Sequence, residues 1–169
     1  LHDAINHIFN DDNSNWNDGV RQIYSNFTND FLYPNINNMM TFAENHDTDR
    51  INKCYNGDFK KYAMAMALIA TVRGYPQLYY GSEIGMTGDK GKGDGDIRKD
   101  FPGGWAGDTN NAFTKAGRTE EQQKYFDFTS KLFSWRKTNK AVHFGKMKHY
   151  LPENNVYVYF RTADKQSVM

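Results

Sequence analysis

The sequence predicts an α/β fold with parallel strands, followed by an antiparallel β unit. Three observations carry this reading. Short apolar runs bounded by Asn, Gly and Pro alternate with segments of helical length, the pattern of buried parallel strands joined by helices. Capping signals stand at the heads of three of those helical segments. Beyond Ala141 the pattern changes to strand, turn, strand.

The elements follow in order. Asn15-Trp16-Asn17-Asp18 supplies N-cap candidates, and Val20, Ile23, Tyr24, Phe27 and Phe31 recur at helical spacing until Pro34 ends the helix. Met39-Met40-Thr41-Phe42-Ala43 is short and apolar between polar flanks, so it reads as a fully buried strand. Asp58 caps the next helix, which is apolar on most sides from Tyr62 to Val72 and therefore largely buried. Gly74 closes it and Pro76 prevents its continuation. Gln77-Leu78-Tyr79-Tyr80 forms a second short strand, ended by Gly81. Residues 81–118 make one long loop. Thr119 and Gln122 form a capping box, and Tyr125, Phe128, Leu132 and Trp135 carry an amphipathic helix to about Thr138. Lys146–Leu151 and Val156–Arg161 then pair around the turn Pro152-Glu153-Asn154-Asn155. No internal repeat or low-complexity tract interrupts the chain.

Composition bounds the function. The 169 residues suffice for one domain, or for one domain and part of another. Lys and Arg number 21 against 20 Asp and Glu, a net charge of +1, so there is no basic excess of the kind that binds nucleic acid. No apolar run approaches the ~20 residues of a membrane span. Cys54 is the single cysteine, which rules out an internal disulfide and a cysteine zinc cage. It fits any compartment, and location is left open, with periplasm or exterior placed ahead of cytoplasm. Asp (15) and Asn (18) are abundant, and nine of the 14 glycines lie between Gly81 and Gly107. Long polar loops are expected, one of them glycine-rich and a candidate for function. Leu1 at the start, no leader pattern after it, and a strand just beginning at Ser167-Val168-Met169 suggest a fragment.

The densest chemistry is Glu44-Asn45-His46-Asp47, with Asp49 and Arg50 close behind. It directly follows the first buried strand, and parallel α/β folds gather ligand-binding groups at the carboxyl ends of strands. The bland alternative is a polar strand exit whose Asn and Asp cap the next turn. A zinc site is disfavoured because no second His stands at i+4. Asp89, Asp94 and Asp96 break the spacing of a calcium loop, and Gly91-Lys92-Gly93 lacks the Ser or Thr of a phosphate loop. Asp94 and Arg98 lie four apart and offer charged, directional partners for sugar hydroxyls; the alternative is an ordinary exposed ion pair. Tyr79, Tyr80 and Trp105 are candidates for stacking on sugar rings, with core or loop packing as the default for each.

Phe42-Ala43-Glu44-Asn45-His46-Asp47 resembles the F-x-x-N-H-D motif of the α-amylase superfamily, glycoside hydrolase family 13. Gly74-Tyr75-Pro76-Gln77-Leu78-Tyr79-Tyr80-Gly81-Ser82-Glu83-Ile84-Gly85 resembles that family's eighth-strand segment, G-x-P-x-x-Y-Y-G-x-E-x-G. Order and separation fit over essentially the whole chain. The flavour is that of neopullulanases and cyclomaltodextrinases, whose D-P-D-x-R loop is similar to Asp94-x-x-x-Arg98, with Gly95 standing where Pro is usual.

The resemblance implies the C-terminal part of a (β/α)8 barrel, from the sixth helix to the eighth, over residues 1–140. The start of an antiparallel β domain would follow over 141–169. Residues 39–43 and 75–80 would be the seventh and eighth strands, and 15–33, 58–73 and 119–138 the sixth to eighth helices. It implies hydrolysis of α-glucosidic bonds with retention of configuration. An Asp nucleophile and a Glu acid/base on the fourth and fifth strands, neither matched in this chain, would cleave the bond. Asp47 and His46 would grip the reacting sugar, and Asp94 and Arg98 the next one. Asn45, Arg50 and Tyr80 complete the expected substrate-binding set. No cofactor is required, and a structural calcium in a parent protein has no ligand set assignable here. The expected partners are an α-glucan oligosaccharide and the other half of the barrel, with a second copy of the chain as another way to cover the open edge; no nucleic acid and no membrane are expected. The alternative is a non-catalytic carbohydrate-binding or transport-associated member of the same superfamily.

Overall fold

The computed structural model describes residues 1–11 and 17–169. Helix α1, His2–His7, and helix α2, Arg21–Phe27, precede strand β1, Met40–Thr41. Then come α3, Ile51–Cys54, the long α4, Phe59–Thr71, and strand β2, Tyr75–Pro76. The glycine-rich stretch contains one short α-helix, α5, Asp94–Ile97, besides 3-10 turns at Ser82–Ile84 and Lys90–Lys92. Helices α6, Glu120–Thr138, and α7, Lys140–Phe144, lead into strands β3, Lys146–His149, β4, Tyr159–Ala163, and β5, Gln166–Val168.

β1 and β2 run parallel, with Met40 opposite Tyr75 and Thr41 opposite Pro76. The crossover between them contains α4. Gly74 makes this pairing geometrically available. Its φ of +88° is left-handed, and a Cβ there would lie 2.2 Å from the Met39 carbonyl oxygen, the acceptor of the Tyr75 amide at 3.0 Å. β1 covers two of the five residues expected of it, β2 lies at Tyr75–Pro76 and not over the expected run Gln77–Tyr80, and Met40 is exposed where full burial is expected. Two causes are visible. Pro76 has no N–H to extend the ladder, and among the described residues β1 has β2 as its ladder partner. Phe31, Leu32, Tyr33, Met40, Tyr75 and Leu78 remain exposed.

α4 is the spine. Asp58 caps it by accepting from the Lys60 and Lys61 amides, as its position predicts. Tyr62, Ala65, Met66, Ile69 and Ala70 are buried. The Tyr62 hydroxyl donates to the Ser82 carbonyl and lies 2.8 Å from Thr129 Oγ1. That contact joins α4 to the 80s turn and to α6. The capping box at Thr119 and Gln122 forms as predicted. α6 buries Tyr125, whose hydroxyl donates to Asn52 Oδ1 at 2.8 Å.

The first predicted helix is shorter than its apolar pattern. Asn15 and Trp16 lie outside the described residues. α2 ends at Phe27, and Asp30–Leu32 forms a separate 3-10 turn. Thr28 and Asn29 turn their side chains back to the Ser25 carbonyl, a competition that weakens helices. Arg73 then takes Asp30 in a bidentate pair at 2.8 and 2.6 Å.

β3, β4 and β5 form an antiparallel sheet in that order. It is held to the helices by arginines rather than by carboxylates. Arg161, 1% exposed, donates to the carbonyls of Thr71, Val72 and Gly145. Arg136 donates to those of Ala70, Val142 and Gly74. Both guanidiniums therefore satisfy carbonyls at the C-terminal end of α4, where the helix dipole is negative. Burial pulls the Arg161 pKa down to about 10.

Two outcomes follow from this packing. Arg161→Leu strands three buried carbonyls and should cost about 3 kcal/mol of stability, read as a lower urea midpoint at unchanged slope. His149 stacks near Tyr24 and Phe27 and pairs with the Tyr157 hydroxyl at 2.8 Å. Burial lowers its pKa from the ordinary 6.5, so the unfolded chain binds this proton more readily. Its contribution is complete above pH 6.5 and is lost as pH falls through the lowered folded value. His149→Gln should flatten that acid-side decline in Tm plotted against pH.

Candidate functional site

The chain leaves β1 through Ala43 and Glu44, both buried, and surfaces at His46 and Asp47. The turn is made by Asn45. Its Oδ1 accepts the Asp47 amide at 2.8 Å, and its own amide donates to Thr48 Oγ1 at 3.0 Å. Asn45 thus performs the turn-capping role that composition alone offers for it. The turn sets the two following side chains on the same side. His46 Nε2 lies 3.1 Å from Asp47 Oδ2, and the two side chains are 60% and 59% exposed.

Arg98 reaches this pair from the glycine-rich stretch. Its Nη2 donates to Asp47 Oδ1 at 2.9 Å and its Nε to the His46 carbonyl at 2.8 Å. The same Nη2 lies 3.0 Å from Asp94 Oδ2. One guanidinium therefore bridges two carboxylates contributed by different segments. Asp94 is also bonded to the Lys90 ammonium. Lys90 first, and Arg98 with it, hold the Asp94 carboxyl below the ordinary aspartate range.

Tyr80 borders this group. Its ring is partly exposed, and its hydroxyl donates to the Lys99 carbonyl at 2.8 Å. Arg50 differs from its expected role. It is 1% exposed, so it is not placed to touch a sugar. Its guanidinium pairs with Glu44 Oε1 at 3.1 Å and donates to the carbonyls of Tyr80 at 2.6 Å and Ile97 at 3.0 Å. It also lies over the Tyr79 ring at 4.0 Å, which accounts for Tyr79 as packing. A run of four polar residues gives no sign of which one turns inward. The turn at Asn45–Thr48 decides that, leaving Glu44 and Arg50 buried on either side of the exposed His46 and Asp47, and sequence spacing does not reveal it.

Glu44 is the buried acid that the linear motif leaves without an assigned role. Its carboxylate accepts from Arg50, the Ser82 hydroxyl and the Ile51 amide. Burial pushes its pKa up, against the pull of these three donors. Ser82 therefore belongs to the site's support although its sequence position advertises nothing.

Three acids of the glycine-rich stretch, Asp89, Asp94 and Asp96, lie against cations. Asp96 pairs with Lys99 at 2.7 Å, and Lys53 lies 2.6 Å from Asp49 and 3.5 Å from Asp89. Lys90 also fastens the stretch to the strand exit, its amide donating to Asp49 Oδ1 at 2.6 Å. Gly88 allows the close approach: a Cβ there would lie 2.5 Å from the Asp96 carbonyl oxygen and 3.1 Å from Arg50 Cγ.

Fold and site define an α/β protein with an open, polar strand-exit site. Its carboxylates, imidazole and guanidinium suit neutral polyhydroxylated ligands, whose hydroxyls need donors and acceptors together. The alpha-amylase catalytic-domain family matches residues 3–168. This chain belongs to the alpha-amylase family. The cyclomaltodextrin glucanotransferase of Niallia circulans is 33% identical over 162 residues, 96% of this chain and 20% of that protein. The structure of an Anoxybacillus alpha-amylase shares the fold over 98% of this chain and 32% of its own, with TM-score 0.72 at 19% identity. The gamma-CGTase of Bacillus clarkii is 26% identical, with TM-score 0.60 over 85% of this chain and 19% of that one. The chain spans about a fifth of the length of the curated relatives it matches. Among the described residues, no helix is long and apolar enough to cross a membrane.

Proposed function

We propose that this chain forms the sugar-gripping part of a retaining α-glycosidase acting on starch, pullulan or maltodextrin, within a protein of the neopullulanase and cyclomaltodextrinase kind. The observation that carries the reading is the exposed convergence of Asp47, His46 and Arg98 just beyond a parallel strand. In this reading β1 and β2 are the seventh and eighth strands of a (β/α)8 barrel. α2, α4 and α6 are the sixth to eighth helices, and residues 141–169 begin the C-terminal β domain. The open apolar edge around Met40 and Tyr75 is the side that the rest of the barrel covers.

The division of labour follows from the transition state, which is oxocarbenium-like with positive charge near the anomeric carbon. Asp47 binds hydroxyls of the reacting sugar and favours its distorted ring, and His46 donates to the same sugar. Such contacts count toward turnover to the extent that they strengthen in the transition state. Arg98 and Asp94 hold the next sugar. The Arg98 bridge is solvent-exposed, and exposed ion pairs contribute little, so hydroxyls can exchange into it at small cost. Nucleophile and proton donor come from strands outside this chain.

Asp47→Asn in the intact protein should lower kcat by at least about 100-fold while KM changes only a few-fold. Near-native kcat would remove Asp47 from the mechanism. The purified 169-residue chain alone should release no reducing sugar from maltooligosaccharides.

A further inference from the structure

We propose that Glu44 and Arg50 are positioning residues that set the Asp47–Arg98 contact from beneath, and this rests on the sugar-binding role given to that contact above. Neither side chain touches solvent, each being 1% exposed. Both lie outside the exposed group that meets the ligand.

The bonding pattern is directional. Glu44 is in the strand exit, three residues before Asp47. Its carboxylate holds the Ile51 amide and the Ser82 hydroxyl. Arg50 closes the other side of the same loop. Its Nε donates to the carbonyl of Ile97, the residue immediately before Arg98, and its Nη1 to the carbonyl of Tyr80. Its backbone amide donates to the Gly88 carbonyl at 3.0 Å. One buried ion pair thus fastens the chain on either side of Asp47 to the chain just before Arg98.

Only a planar fork does this. Nε and Nη1 point at separate acceptors in fixed geometry, which a lysine ammonium cannot reproduce. The guanidinium is further clamped over the rings of Tyr79 and Tyr80, at 4.0 and 4.9 Å. Movement of Arg50 therefore moves the backbone that carries Arg98 relative to the turn that carries Asp47. A surface contact between two exposed side chains would otherwise wander, because side chains of this length keep many rotamers in water. Geometry errors of ~1 Å at a catalytic contact cost on the order of 100-fold in rate.

The test is a double-mutant cycle in the intact protein, using Arg50→Lys and Arg98→Ala singly and together. Each protein is read for kcat/KM on maltoheptaose and for maltoheptaose affinity. A residue that acts through Arg98 has little left to lose once Arg98 is gone. Arg50→Lys should lower kcat/KM roughly 30-fold in the native background and no more than about threefold in the Arg98→Ala background. Equal losses in both backgrounds would overturn the proposal, because a purely structural role is indifferent to Arg98. Should Arg50→Lys fail to fold, Ser82→Ala carries the same cycle, removing one bond to Glu44 with little change in volume; a smaller but equally non-additive loss is expected. Asp47→Asn is measured in parallel. Full activity there would overturn the role given to Asp47, whereas the affinity cycle still decides the role of Arg50.

Discussion

The buried pair of Glu44 and Arg50 is the constraint on which the arrangement of the site depends. Two ions taken out of water lose hydration worth several kcal/mol each, and the pair repays this only with good geometry and additional hydrogen bonds. Most of those bonds exist here: a hydroxyl and an amide on the carboxylate, two carbonyls on the guanidinium, with Arg50 Nη2 alone buried and without a hydrogen-bond partner. An apolar pair of similar volume would pack as well, but it would make none of these links. The ion pair therefore contributes to which segments lie together more than to total stability. It gathers the strand exit, the 80s turn and the end of α5 around one point, and the exposed residues take their positions from it.

A second arrangement, built from different chemistry, joins the C-terminal sheet to the helices. Arg136 and Arg161 occupy the end of α4 and bond to neutral carbonyls. Helix ends leave four carbonyls without intrahelical partners, and here the partners come from a later helix and from the middle strand of the sheet. The effect is to attach β4 and α6 to the same turn of backbone. Removing the positive charge there would leave acceptors buried without donors.

Much of this was legible in the residues themselves. Asp58 before an apolar run, and Thr119 with Gln122, mark helix starts through local hydrogen bonds, and those need nothing from the rest of the chain. The parallel pairing was readable from short apolar runs on either side of a helix, but the second strand lies at Tyr75–Pro76, ahead of the run Gln77–Tyr80 expected to form it, and Gly74 stands where the backbone turns left-handed. The shortfalls have long-range causes. Helix α2 ends where Thr28 and Asn29 bond back to Ser25, and the turn beyond it is held by Arg73 on Asp30, 43 residues away. α1 has too few turns for its periodicity to stand out. At the site, exposure of His46 and Asp47 follows from a turn that Asn45 announces. The inward course of Arg50 follows from partners at Tyr80 and Ile97, which spacing does not bring together. The family motifs pointed to this strand exit, and the division between its exposed and its buried residues came from packing.

The two guanidinium arrangements differ in what surrounds them, and that difference has a consequence in ionic solution. Dissolved ions damp attractions between solvent-facing charges over a Debye length of ~8 Å at physiological ionic strength, and they scarcely reach buried dipoles. Arg98 with its two aspartates faces water, whereas Arg161 and Arg136 meet uncharged carbonyls inside. Added electrolyte thus slackens the exposed contact and spares the scaffold.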